Sequence, residues 1–412
     1  MTATATTACR DQPLLLALTA DGRIASEAAF ERLQQRVASI TDCFVFCHGW
    51  LYDAEEARRE GARFSALIDA ALRPLGDRAA PLHVTLHWPS KPFADADLTH
   101  SNAAGSLWPD LERRLAAPAP RGASDIERVL VDLCASEIPL SPEEEVELEA
   151  LLRKLTGGDH RGALPLSPFH ALSFWVMKRR AGAVGERFGR EHLGPFWDAL
   201  PCGRPRLHFI GHSFGAKLLS STVLGGVRPR SLTLLQAAFS AFAFAPEVPG
   251  FDCPGFYHRV IADEQVRGPI VVLRSIHDAA LRIFYPSVTS SGEANRSQAA
   301  QSGSNGEGGS VMPGRWGYMK QVVATSALGA VGARGVGAAE VDLLDAQFTG
   351  IPRQPIVNVD GSKLLRGAGE PFGAHRDIHH PEVAALVLIA AGLLEGGPEG
   401  TRPRRVNPLD VA

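Results

Sequence analysis

Gly211-His212-Ser213-Phe214-Gly215 is the stretch of this chain whose residue types and spacing carry the plainest chemistry. The apolar run Leu207 to Ile210 leads into it, and Ala216-Lys217-Leu218-Leu219 continues it with a helical pattern. Where a strand gives way to a helix across Gly-x-Ser-x-Gly, the chain must turn sharply. Two residues without Cβ let strand and helix close on each other. Ser213 Oγ is then left exposed at the carboxyl end of the strand, within reach of a carbonyl group. A serine hydroxyl is a poor nucleophile until an imidazole takes its proton, and the imidazole needs an anion to hold its tautomer. The oxyanion that forms needs preorganised N–H donors.

Candidates for each role lie elsewhere in the chain. Asp278 ends the stretch Ser275-Ile276-His277-Asp278 after an apolar strand, which suits the acid; it could equally cap the helix that follows. Asp252 and Asp263 follow no clear strand and are weaker choices. His375 is the choice for the base, with His379 and His380 as alternatives. His375 comes first after the last strand, within Gly373-Ala374-His375, while His379 and His380 stand directly before Pro381-Glu382, the expected first turn of a helix. The donors for the oxyanion would be the backbone N–H groups of Phe214 and of Trp50, the latter following His48-Gly49. His48, His212 and Trp88 are placed to line a pocket.

These residues need a scaffold that gathers them. Strands are expected at Leu14–Thr19, Cys43–Cys47, Leu82–His87, Leu207–Ile210, Ser231–Gln236, Pro269–Arg274 and Pro355–Val359. Helices are expected at Ala25–Val37, at Ala54–Leu72 behind the Asp53/Glu56 capping box, at Leu172–Phe188, and over the apolar run Val383–Leu394. Strands alternating with helices predict an α/β fold, a mainly parallel sheet with helices on both faces. Ligands of such sheets sit beyond the carboxyl ends of the strands, and every residue given a catalytic role above falls there or in the loop that follows. The 412 residues read as one domain, 1–412. Within it, 91–184 reads as a mostly helical insertion able to cap the site, and 285–320 as a flexible segment of low complexity.

Cys47-His48-Gly49-Trp50, His87-Trp88-Pro89-Ser90, the Gly-His-Ser-Phe-Gly turn and Gly373-Ala374-His375 together resemble the α/β-hydrolase superfamily, and within it a group of mostly uncharacterised bacterial serine hydrolases. The order Ser213, Asp278, His375 is that family's Ser…Asp…His order, and Cys47-His48-Gly49-Trp50 resembles its His-Gly oxyanion turn. The resemblance covers residues 40–90, 170–280 and 355–395. It implies the α/β-hydrolase fold and acyl-ester hydrolysis, carboxylesterase first, with lipase, thioesterase or acyltransferase chemistry open to the same residues. A non-catalytic hydrolase-like binding protein is the alternative from another class. The insertions 91–184 and 285–354 exceed what the family needs, so no substrate class is carried over.

Composition narrows the partners. Forty-two Lys and Arg against forty-five Asp and Glu leave a net charge of −3, which gives no basic field for nucleic acid. Met1 to Gln12 lacks the pattern of a secretory signal, and Val383–Leu394 is too short to span a bilayer. Six scattered cysteines, without metal-ligand spacing, fit a reduced, cytoplasmic setting. The expected partner is a small acyl substrate, with no metal or organic cofactor and the oligomeric state left open. Three signals are discounted: the glycine stretch Gly329 to Gly335, a His83/His87 pair without a third ligand, and Lys178-Arg179-Arg180, read as a solvated helix face.

Overall fold

The computed structural model describes residues 12–90, 168–201, 205–251, 253–286, 325–367, 372–397 and 402–403. Short apolar runs bounded by turn residues, and one half-exposed edge segment, form eight strands: β1 (Leu14–Ala17), β2 (Asp42–Cys47), β3 (Pro81–His87), β4 (Arg206–His212), β5 (Ser231–Leu235), β6 (Ile270–Arg274), the edge segment β7 (Ala339–Asp342) and β8 (Ile356–Asp360). All pair in parallel, in the order β1-β3-β2-β4-β5-β6-β8-β7. Successive side chains on a strand point to opposite faces, and the central strands show it. Cys43, Val45 and Cys47 of β2 enter one core while Phe44 and Phe46 enter the other; Ile270 and Val272 of β6 divide likewise from Val271 and Leu273. Strands apolar on both faces can be buried only if helices cover both.

They do. With helices labelled α1 (Glu27–Arg36), α2 (Ala54–Leu72), α3 (Pro168–Phe188), α4 (Phe214–Leu224), α5 (Leu343–Thr349) and α6 (Pro381–Ala390), the first core takes residues from α1, α3 and α4. The second takes residues from α2, α5 and α6. α2 begins where its capping box predicts: Glu56 N–H donates to Asp53 Oδ1 at 2.8 Å, and Asp53 N–H to Glu56 Oε2 at 2.9 Å. The described fold is thus α/β with a parallel sheet covered on both faces. Edge strand β7 was not expected from sequence, and α6 stops at Ala390, leaving Leu394 in a two-residue strand paired with Pro403. The expected cap 91–184 lies outside the described residues except for 168–184, which belong to α3. The expected 285–320 segment lies outside them beyond 286. Among the described residues no helix is long and apolar enough to cross a membrane.

At the opposite, amino-terminal edge of the sheet, Arg206 grips the buried Asp42 with two nitrogens, at 2.8 and 2.9 Å. Burial presses the Asp42 carboxyl upward, but His208 and Arg206 outweigh it and hold it below its ordinary 3.8. Burial likewise holds His208 below its ordinary 6.5. The neutral ring donates from Nε2 to Asp42 Oδ1 and accepts the Ser231 hydroxyl at Nδ1, both at 2.9 Å. Both values are depressed in the folded state, so as pH falls the unfolded chain takes up protons first. Stability is therefore lost below about pH 6.5 through His208, and further as Asp42 protonates. Asp42→Ala strands the buried imidazole, and urea denaturation should show a loss of about 1–3 kcal/mol. An unchanged midpoint would contradict this account.

Candidate active site

β4 delivers Gly211 and His212, α4 starts at Phe214, and Ser213 alone makes the turn between them. Its backbone lies at φ 55° and ψ −118°, a conformation that costs a residue with a side chain on the order of 1–3 kcal/mol. Three backbone hydrogen bonds hold it there. Ser213 N–H donates to Leu235 O at 3.0 Å, and Ser213 O accepts from Ala216 N–H at 3.2 Å and Ala238 N–H at 3.3 Å. A Cβ on Gly215 would press into the carbonyl oxygens of Cys47 and His48. Only a residue without one lets α4 start so close to the end of β2.

The loops after β6 and β8 bring two of the expected residues to this turn. Ser213 Oγ lies 2.9 Å from His375 Nε2, and His375 Nδ1 lies 2.8 Å from Asp278 Oδ2. A carboxylate only accepts, so Nδ1 carries the ring proton, Nε2 is the acceptor, and the Ser213 hydroxyl donates to it. Asp278 is fully buried. Its other oxygen, Oδ1, accepts Leu281 N–H at 2.9 Å, so the helix-capping role foreseen for it and the contact to His375 coexist on different oxygens. A backbone bridge between Asp278 and Gly373 ties the two loops together.

The other histidines of that loop are engaged elsewhere. His379 Nε2 lies 3.1 Å from Glu60 Oε2, and its ring meets Phe64 edge-on. His380 Nε2 lies 2.7 Å from Asp377 Oδ1. Of the weaker acids, Asp263 pairs with Arg259 at 3.1 Å, and Asp252 is outside the described residues.

The turn after β2 closes on Ser213 from the other side. A Cβ on Gly49 would stand 2.9 Å from Ser213 Cβ, so the backbone entering Trp50 runs directly beside the hydroxyl. Leu51 is held at φ 65° by Ser90: Leu51 N–H donates to Ser90 O at 3.2 Å, Tyr52 N–H to Ser90 Oγ at 3.0 Å, and Ser90 Oγ–H to Tyr52 O at 3.0 Å. His48 and Trp88 lie beneath this turn, both buried. His48 donates from Nδ1 to Gly49 O at 2.9 Å, its Nε2 lies 3.0 Å from His87 Nδ1, and Trp88 Nε1–H donates to His48 O at 3.1 Å. Phe214, next to Ser213, is the first residue of α4, where an N–H has no acceptor within the helix.

An aromatic group flanks these two backbones. Phe174 of α3 packs against Trp50 (ring centroids 5.8 Å apart), Phe214 (4.9 Å) and Tyr285 (5.8 Å). Lys178, one turn on, is buried and donates to Tyr285 Oη at 3.0 Å, and Arg180 donates to Pro89 O at 3.1 Å. The solvated face expected for Lys178-Arg179-Arg180 is thus not formed, because consecutive helix residues point about 100° apart and cannot share one face. The Ser90 contacts to the turn after β2 also escaped the sequence, since they depend on partners nearly forty residues away along the chain.

The cysteines of β2 and the histidines of β3 are held by burial or by other partners. Burial, with Asp42 adding to it, pushes the Cys43 thiol up to about 12, and burial pushes Cys47 well above its ordinary range, so neither offers a thiolate. His83 Nε2 turns to Asp69 Oδ1 at 2.9 Å while His87 faces His48. Among the described residues no three His, Cys, Asp or Glu side chains gather as metal ligands. Compared with protein-family models, curated proteins and solved structures, the chain matches none.

Proposed function

We propose that this chain is a serine hydrolase of the α/β-hydrolase type that cleaves an ester or related acyl bond, as a carboxylesterase does. The observation that carries the proposal is the unbroken hydrogen-bonded chain from Ser213 Oγ through His375 to Asp278, with Ser213 on a strained turn. Fold-level support comes from the order of the parts: nucleophile after β4, acid after β6 and base after β8, all beyond the carboxyl ends of a parallel sheet.

In this reading Ser213 Oγ attacks the substrate carbonyl as its proton passes to His375 Nε2. Asp278 holds the imidazolium through Nδ1–H, and the amides of Trp50 and Phe214 receive the oxyanion, each worth roughly 3–4 kcal/mol. Collapse expels the alcohol, which takes the proton back from His375. Water then repeats the sequence on the acyl-enzyme, with His375 as base and then acid. A thiol leaving group, or an alcohol in place of water, would make the same machinery a thioesterase or an acyltransferase, and a long acyl chain a lipase.

A fluorophosphonate probe tests this directly. The folded chain should be labelled at a single serine, His379→Ala and His380→Ala should label at the parent rate, and His375→Ala should not label on that timescale. A folded parent that stays unlabelled would support a non-catalytic, hydrolase-like binding protein instead.

A further inference from the structure

We infer that His212 and Gln236 form a two-point clamp on the loop bearing His375 and set the reach of its imidazole to Ser213 Oγ, an inference that rests on the acyl-transfer reading above. His212, the last residue of β4, donates from Nε2 to the backbone carbonyl of His375 at 2.7 Å. Gln236, directly after β5, donates from Nε2 to the carbonyl of Ala374, also at 2.7 Å. Those carbonyls belong to the two peptide planes that meet at His375 Cα. Peptide planes are rigid, so fixing both fixes φ and ψ of His375 and hence the direction in which its Cβ leaves the backbone. One such bond would hold only one of the two planes; bonds on consecutive planes hold both. The acid's loop adds a third tie, from Ala374 N–H to His277 O at 3.0 Å.

Both residues carry features that serve placement rather than stability. Gln236 sits at φ 46°, in the left-handed region, and its Oε1 is buried with no partner among the described residues. Strain and unmet hydrogen bonds of this kind collect where geometry has a function. His212 is buried, and a carbonyl can only accept, so the ring must carry its proton on Nε2. Burial, together with the neighbouring His375, drives its pKa well below the ordinary value. A neutral donor suits this position: the two ring centroids are 5.1 Å apart, and a charged His212 would oppose the imidazolium that catalysis forms on His375.

Hydrolysis of p-nitrophenyl acetate, with the fluorophosphonate labelling rate alongside, tests the clamp. His212→Met and Gln236→Met each keep bulk and remove the donor. Each should lower kcat by about 10–100-fold with KM little changed, as expected when a base is misplaced by a fraction of an ångström to an ångström. His212→Gln, which can offer an N–H to the same carbonyl, should recover most of the rate. Methionine variants that match the parent, or a His212→Gln variant no better than His212→Met, would overturn the proposal. Nitrogen-15 NMR of the parent tests it without any variant: His212 should be neutral and protonated on Nε2, and an Nδ1-protonated ring would overturn the clamp even if the methionine variants fail to fold. A parent that neither hydrolyses the ester nor takes the probe sinks the acyl-transfer reading. A labelled parent equalled by its methionine variants sinks the clamp alone.

Discussion

Ser213→Ala should abolish fluorophosphonate labelling and lower the rate of ester hydrolysis roughly a millionfold, the scale on which removal of a serine nucleophile acts. The residue is already a non-glycine at φ 55°, so alanine keeps the turn's strain and its three backbone hydrogen bonds. What it loses is the hydroxyl and its 2.9 Å bond to His375, worth about 0.5–1.5 kcal/mol. Loss of activity should therefore come with a thermal midpoint close to the parent's. Hydrolysis within tenfold of the parent, by protein shown to be intact, would mean that Ser213 is not the nucleophile.

Asp278→Asn should reduce kcat by about ten-thousandfold while leaving the fold in place. The reason lies in the split duty of this side chain. Oδ1 caps Leu281 N–H, and an asparagine keeps that bond only by presenting its Oδ1 there. Its Nδ2–H₂ then faces His375 Nδ1, which must accept, so the ring proton moves to Nε2. An Nε2–H cannot take the hydroxyl proton of Ser213. The cap thus enforces the wrong tautomer instead of letting the amide flip away from it. Single-turnover kinetics with a chromogenic ester would read the effect; a drop of tenfold or less would show that Asp278 has no part in orienting the base.

Much of this was legible in the sequence wherever the signal was local. The strand leading into Ser213, the helix behind Asp53 and Glu56, and the short apolar strand Cys43 to Cys47 each declare themselves within a dozen residues. β7 did not, because Ala339-Glu340-Val341-Asp342 is half exposed at a sheet edge and lacks an apolar run; Glu340 instead pairs with Arg274 at 3.2 Å. Position after the last strand favoured His375 among three histidines within a few residues, but the pattern alone did not secure that choice. That choice depends on where β8 lies relative to β4, and Glu60 and Asp377, which engage His379 and His380, become neighbours only on folding. Lys178 misled for a related reason: its partner Tyr285 lies 107 residues away.

The separation of Ser213, Asp278 and His375 along the chain has a consequence of its own. Ser213 and His375 are 162 residues apart, and Asp278 and His375 are 97 apart. Each reaches the site from a different strand of one parallel sheet. Non-local pairings of this kind form slowly, because loop-closure entropy must be met before any contact offsets it. Helical segments such as α2 can gain structure early, but no segment of the chain contains a working part of the site. The proposed chemistry therefore belongs to the finished sheet, and a nascent or partly unfolded chain should carry no reactive serine to betray itself with.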